Sequence, residues 1–127
     1  PMTVTQGIYE INNPNEASPV MVTTNFALTY FIVSGEIEAS RVPSYLLIKD
    51  SEGLSVMTAW AAGKFAGDDV GMFVKKSGIE EKIKKKEVII PGYAAAIAGD
   101  MEEELPGWKI TVGPREAAHL PAFLKSK

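Results

Sequence analysis

At 127 residues, with 46% hydrophobic and 23% charged residues, the chain has the length and composition of one globular domain with a single core. Its net charge of −3 leaves no electrostatic footprint for nucleic acid or an anionic membrane. It has no cysteine, which excludes disulfides, thiolate metal sites, an iron–sulfur cluster held by this chain and a cysteine nucleophile. No apolar run approaches the roughly 20 residues of a membrane span, and no signal-peptide pattern opens the sequence. A cytoplasmic location is the expectation.

Residues 1–17 are expected to be a tag remnant and linker, and the domain proper to occupy 18–127. Up to Pro19 the sequence is polar and broken by Asn12, Asn13, Pro14 and Asn15, so it reads as a linker or an edge segment. A short β-branched strand follows at 20–24, with Asn25 as the N-cap of a helix. Phe26, Ala27, Tyr30, Phe31 and Val33 carry that helix's apolar face to about Glu38. A turn at 40–43 leads to a second strand at 45–48, and a tight connection at 50–53 to a third at 54–57. Thr58 would end that strand. Ala59-Trp60-Ala61-Ala62-Gly63-Lys64-Phe65 would open the next helix.

Gly67-Asp68-Asp69 reads as an interruption, with Asp68 or Asp69 capping a helix through Val74. The run Lys82, Lys84, Lys85, Lys86 raises the question of a phosphate-binding patch. Beside Glu80, Glu81 and Glu87 it reads instead as a solvated face. A buried-type strand at 88–90 ends at Pro91-Gly92. An alanine-rich segment from Tyr93 then continues as a helix to Leu105. The last strand spans 108–112, Gly113-Pro114 starts the final helix, and Pro121 limits or kinks it.

Strands that are apolar on both faces, alternating with helices, indicate a small three-layer, mostly parallel, Rossmann-like α/β domain. In that architecture the strand-to-helix junctions share one edge of the sheet, where ligands bind. Thr24-Asn25-Phe26, Thr58 to Lys64, Pro91-Gly92-Tyr93-Ala94 and Gly113-Pro114-Arg115 would gather there. Ala61, Ala62 and Gly63 leave backbone with little side chain above it, a surface for a flat ligand; they also suit the start of a packed helix. Dinucleotide and Walker glycine motifs are absent, as is a nucleophile elbow. The one histidine, His119, reads as a surface or helix-end residue. Glu102-Glu103-Glu104 fan around a helix and cannot converge on one ion.

Across about 18–124 the sequence resembles the C-terminal corrinoid-binding domain of the large (gamma) subunit of the corrinoid iron–sulfur protein. The resemblance rests on residues 19–31, on Thr58-Ala59-Trp60-Ala61-Ala62-Gly63-Lys64-Phe65, and on Ile90-Pro91-Gly92-Tyr93. It extends through Glu103-Glu104-Leu105-Pro106-Gly107-Trp108 and Val112-Gly113-Pro114-Arg115-Glu116-Ala117-Ala118. It implies a cobalamin-type corrinoid, held by the junction residues named above between this domain and a barrel-shaped small subunit. The cobalt would carry a methyl group from a methyl-pterin, through a methyltransferase, to acetyl-CoA synthase. The chain would then be a carrier component rather than a complete enzyme, without the iron–sulfur cluster of the full subunit.

The resemblance further implies no protein ligand to cobalt. The Asp-x-His-x-x-Gly motif of methionine-synthase-type carriers is absent. A related mercury-methylating corrinoid domain has a cysteine where this chain has Thr58, whose neutral hydroxyl is a poor ligand. A base-off corrinoid with Thr58 nearest its lower face is therefore expected. The alternative is a non-catalytic binding or scaffold domain of the same fold without cofactor.

Overall fold

The computed structural model describes residues 2–127; Pro1, read above as part of a tag remnant, lies outside them. Five strands form one sheet in the order β1-β3-β2-β4-β5. They are β1 (Gly7–Ile11), β2 (Val20–Thr24), β3 (Ser44–Lys49), β4 (Glu87–Ile90) and β5 (Lys109–Val112). β2, β3, β4 and β5 are mutually parallel, and β1 runs antiparallel along the outer side of β3, from Gly7↔Ile48 to Ile11↔Ser44. The segment read as linker or edge thus includes an edge strand, and the sheet takes in residues ahead of position 18.

Strands β2, β3 and β4 are buried along almost their whole length, as a sheet covered on both faces requires. Alternation along the strands divides the core in two. Val20, Val22, Tyr45, Leu47, Val88 and Ile90 face one layer, with Phe65, Val70, Val74, Met101 and Leu105 packed against them. That layer contains α2 (Val56–Ala61), α3 (Gly67–Lys76) and α4 (Ala98–Glu104). Met21, Leu46, Ile48 and Ile89 face the other, with Ile37, Leu120 and Leu124. Those three belong to α1 (Ala27–Ser40) and α5 (Leu120–Lys125). The result is the three-layer α/β arrangement that the alternating sequence indicates.

Helices α3 and α4 approach closely because α3 presents glycines at the contact. A Cβ on Gly67 would lie 2.6 Å from the Asp100 Cβ, and one on Gly71 would lie 2.7 Å from the Glu104 Cβ. α3 begins after Ala66, with Asp68 and Asp69 inside its first turn and no side-chain cap. The two carboxylates therefore act on the positive end of the helix dipole rather than as the cap expected from sequence.

Three further readings are corrected by the structure. The final helix starts at Leu120, after a 3-10 turn at Ala117–His119, rather than at Gly113-Pro114, and Pro121 sits in its first turn instead of limiting it. Residues 54–57 are not a strand: Ser51 to Leu54 is a turn, closed by the Leu54 N–H donating to the Ser51 carbonyl at 3.2 Å, and Val56 already begins α2. Three apolar residues are too few to separate strand from helix by periodicity. Nor is Asn25 the cap of α1. Phe26 holds the N-cap position, and the Asn25 side chain points the other way.

Candidate functional site

The parallel strands end together, so the segments after β2, β3, β4 and β5 rise from one edge of the sheet. The tightest meeting is between the ends of β4 and β5. The Gly113 N–H donates to the Ile90 carbonyl at 2.8 Å, and the Gly92 N–H to the Pro114 carbonyl at 3.2 Å. A Cβ on Gly92 would sit 2.7 Å from the Arg115 nitrogen and 2.8 Å from the Gly113 oxygen, so only glycine permits this approach. Tyr93 stands exposed above it. Its hydroxyl donates to the Glu116 carboxylate at 2.9 Å, and the Arg115 guanidinium lies 5.9 Å from its ring centre. The hydrogen bond to Glu116, together with that residue's charge, holds the Tyr93 phenol above its ordinary range.

The β3 end is organised by Asn25. Its side-chain oxygen accepts from the Ser51 N–H at 2.9 Å and the Gly53 N–H at 3.0 Å, and lies 3.1 Å from the Ser51 hydroxyl. Its amide donates to Asp50 at 3.3 Å and to the Val4 carbonyl at 3.4 Å. This buried side chain fixes the loop that delivers α2 to the edge. There α2 packs against the end of β2 and the 3-10 turns Gly92–Ile97. Thr24, Thr58, Gly92 and Gly113 are thereby brought to the same edge.

Within α2, Ala59 is fully buried against the core, while Thr58, Trp60 and Ala61, followed by Ala62, Gly63 and Lys64, are exposed. Thr58 lies in the first turns of a helix rather than at a strand end, and its Oγ1 accepts a hydrogen bond from Ser55 Oγ at 3.1 Å. Gly63 has a φ of +75°, which closes the end of α2. Lys64 is paired with Glu52 at 3.0 Å. Of the other junction residues, Thr24, Asn25, Gly92 and Ala94 are buried, and Phe26, Pro91, Gly113 and Pro114 are half-buried.

Beneath this edge lies a cavity of about 200 Å³ that sequence reasoning missed. Thr29, Ile32 and Val33 of α1 form one wall, Val56 another, and Leu46, Ile89, Ala117 and Leu120 the interior; Tyr93, Pro114 and Arg115 also line it. The signal in the sequence was α1 itself, whose apolar residues run nearly all round the helix instead of along one stripe. Leu28, Phe31 and Ile32 are left 56%, 64% and 47% exposed. Thr23 also lines the cavity, and its buried hydroxyl has no partner among the described residues; neither has that of Thr24. An unpaired buried hydroxyl costs about 1–3 kcal/mol, which an incoming acceptor would recover. His119 is exposed and does not line the cavity. Among the described residues no three His, Asp or Glu side chains gather as a metal site, and no helix is long and apolar enough to cross a membrane.

The sequence has clear relatives among known proteins. Residues 1–124 match the family described as CO dehydrogenase/acetyl-CoA synthase delta subunit. The chain is 48% identical over 126 residues to the corrinoid/iron-sulfur protein large subunit of Moorella thermoacetica, covering 99% of this chain and 28% of that protein. It is 42% identical over 124 residues to the acetyl-CoA decarbonylase/synthase complex subunit gamma of Methanothermobacter thermautotrophicus, covering 98% and 27%. With the corresponding gamma subunit of Methanopyrus kandleri the identity is 40% over 127 residues, covering 100% and 27%. The chain thus spans a little over a quarter of the length of the curated relatives it matches.

Proposed function

The chain belongs to the CO dehydrogenase/acetyl-CoA synthase delta subunit family, and from that membership we propose that it is the corrinoid-holding domain of a methyl-carrying protein. The observation that carries this reading is a pair of features at the same edge of the sheet, an apolar cavity and the bare surface Ala61-Ala62-Gly63 on the helix whose first residue, Val56, lines that cavity. At about 200 Å³ the cavity is smaller than the roughly 300–1,000 Å³ of pockets that enclose a whole ligand. A corrin macrocycle cannot enter it. The ring would therefore lie outside, over residues 58–63 and Tyr93, while only the flat base at the end of the nucleotide tail enters the cavity. The residues present fit that division. Gly92 and Gly113 keep the rim at backbone height, Thr23 has a buried hydroxyl in want of an acceptor, and the remaining walls are largely apolar.

When bound, the corrinoid supplies a cobalt centre that accepts and releases a methyl group. The chain's own part is to hold the ring, house the tail and withhold an axial donor. Thr58 would offer only a neutral hydroxyl, which already accepts from Ser55, and so would be a poor ligand to the cobalt. A chain that gives the cobalt no strong donor would thereby tune its potential, as ligands do at other metal cofactors. The exposed Leu28, Phe31, Ile32, Met57 and Trp60 suit cover by a small subunit. A methyl-pterin as methyl source, reached through a methyltransferase, acetyl-CoA synthase as acceptor and a cytoplasmic setting complete the reading.

Titrating the chain with hydroxocobalamin and following visible absorption tests it. A saturable shift to a base-off spectrum is expected. Ala61→Leu, a change at an exposed position, should weaken binding at least tenfold with no change in melting temperature. Absence of a shift, or equal affinity in the variant, would leave a scaffold domain of the same fold.

A further inference from the structure

We propose that the cleft at the opposite edge of the sheet is a second binding site, for a small phosphate monoester with an apolar body. The cleft, about 490 Å³, lies where β2, β3, β4 and β5 begin and α5 ends. That volume falls within the range of small-molecule sites. Val20, Val42, Ile89 and Leu124 supply an apolar floor, and Lys85, Lys109 and Lys127 surround Glu87 at its rim.

The three lysines come from different elements and would repel one another without a common counter-charge. Glu87 provides it. Lys127 Nζ lies 3.0 Å and Lys109 Nζ 3.9 Å from Oε2, and Lys85 Nζ lies 3.5 Å from Oε1. Burial alone would push the Glu87 carboxyl up. Hydrogen bonds from Thr111 and Lys127 and the charges of Lys127 and Lys85 outweigh it and hold the group down at about 2. Glu87 is therefore ionised at any ordinary pH.

The neighbouring lysines of the same run are engaged elsewhere. Lys84 pairs with Glu16 and Lys86 with Glu80, each at 2.9 Å. The basic run is thus a solvated face except at Lys85, which joins two lysines distant in sequence. Three ammonium groups share one side-chain carboxylate, so the side chains gathered here are locally in positive excess on a chain whose net charge is −3. A phosphate monoester carries between one and two negative charges at neutral pH, and lysine binds phosphate as a point charge. Lys85 and Lys109, with side chains 76% and 67% exposed, are free to turn onto an arriving anion. Lys127, at 27%, stays on Glu87.

The test is a titration of the nitrogen-15-labelled chain at low salt with phenyl phosphate, inorganic phosphate and phenol, followed by amide shifts. Phenyl phosphate should give saturable shifts confined to the amides around Glu87, Lys109 and Lys127, at least tenfold tighter than inorganic phosphate, with none from phenol. The Lys85→Ala/Lys109→Ala double variant, whose spectrum also reports its fold, should bind at least tenfold more weakly. Lys84→Ala should bind as the parent does. Shifts spread over all surface lysines, unchanged affinity in the double variant, or inorganic phosphate binding as tightly as phenyl phosphate would overturn the proposal.

Discussion

Replacing Asn25 by alanine removes the acceptor for two backbone N–H groups, those of Ser51 and Gly53, together with the donor to Asp50 and Val4. Ser51 is 1% exposed, so its N–H finds no water in exchange, whereas Gly53 is half-buried and is partly rehydrated. A buried donor left unpaired costs about 1–3 kcal/mol and an exposed one less. The total expected is about 2–3 kcal/mol, a fall in melting temperature of roughly 10 °C for a domain of this size. Amide exchange at Ser51 and Gly53 should accelerate in Asn25→Ala. In Asn25→Asp, which keeps the acceptor, it should remain slow even though a second carboxylate beside Asp50 lowers stability. Since the same loop delivers α2, hydroxocobalamin affinity should fall with the protection. Thermal melting and hydrogen exchange by nuclear magnetic resonance measure both effects. An Asn25→Ala protein that melts within about 1 °C of the parent with unchanged exchange at residue 51 would refute the reasoning.

Gly92→Ala should cost about 2 kcal/mol or more, because its Cβ would meet three backbone atoms within 2.8 Å at the joined ends of β4 and β5; urea unfolding measures it, and a cost under 0.5 kcal/mol would count against that contact. Thr58→Cys should place a soft sulfur donor near a bound corrinoid and shift its visible spectrum, whereas His119→Ala should leave the spectrum unchanged; the reverse pattern contradicts the assignment. The Glu87 carboxyl lies at about 2 when folded against an ordinary 4.5. Its contribution to stability is therefore complete above about pH 4.5 and is lost as pH falls toward 2. Allowing for screening at the exposed lysines, that contribution is about 1–2 kcal/mol. Glu87→Gln should flatten the pH dependence of unfolding in that window, and identical slopes in the two proteins would contradict it.

The buried strands β2, β3 and β4 were legible because they are rich in apolar and β-branched residues on both faces and flanked by Pro; they and the more exposed β5 fall within a residue of the sequence reading. The convergence of the ends of β2, β4 and β5 followed from parallel topology, whereas Thr58 reaches that edge on a helix and not at the end of the strand read at 54–57. What escaped were features set by tertiary partners. Gly7-Ile8-Tyr9-Glu10-Ile11 becomes a strand only by pairing with β3, and its polar flanks hid it. Leu54, Val56 and Met57 looked like a strand because nothing local says that the Asn25 side chain has already turned the chain at Ser51. Asn25 looked like a cap because asparagine before an apolar run usually is one; its true partners lie 25 to 28 residues away, apart from Val4 at 21. The cavity depends on how far α1 stands from the sheet, which no periodicity encodes.

The sheet has a seam. β2 and β3 are in register from Val20↔Tyr45 to Thr24↔Lys49, and β4 and β5 from Glu87↔Lys109 to Ile90↔Val112, but β2 and β4 register only at Met21↔Ile89. Two ribbons, distant in sequence, are therefore stitched along a central line by little ladder of their own. The cavity straddles that line, with Met21, Val22 and Thr23 on one bank and Ile89, Ile90 and Pro91 on the other. Whatever fills it clasps the two ribbons, and its binding free energy opposes their parting. A ligand at a hundred times its Kd adds about 2.7 kcal/mol against unfolding. Loading and folding of this domain are thus one linked equilibrium.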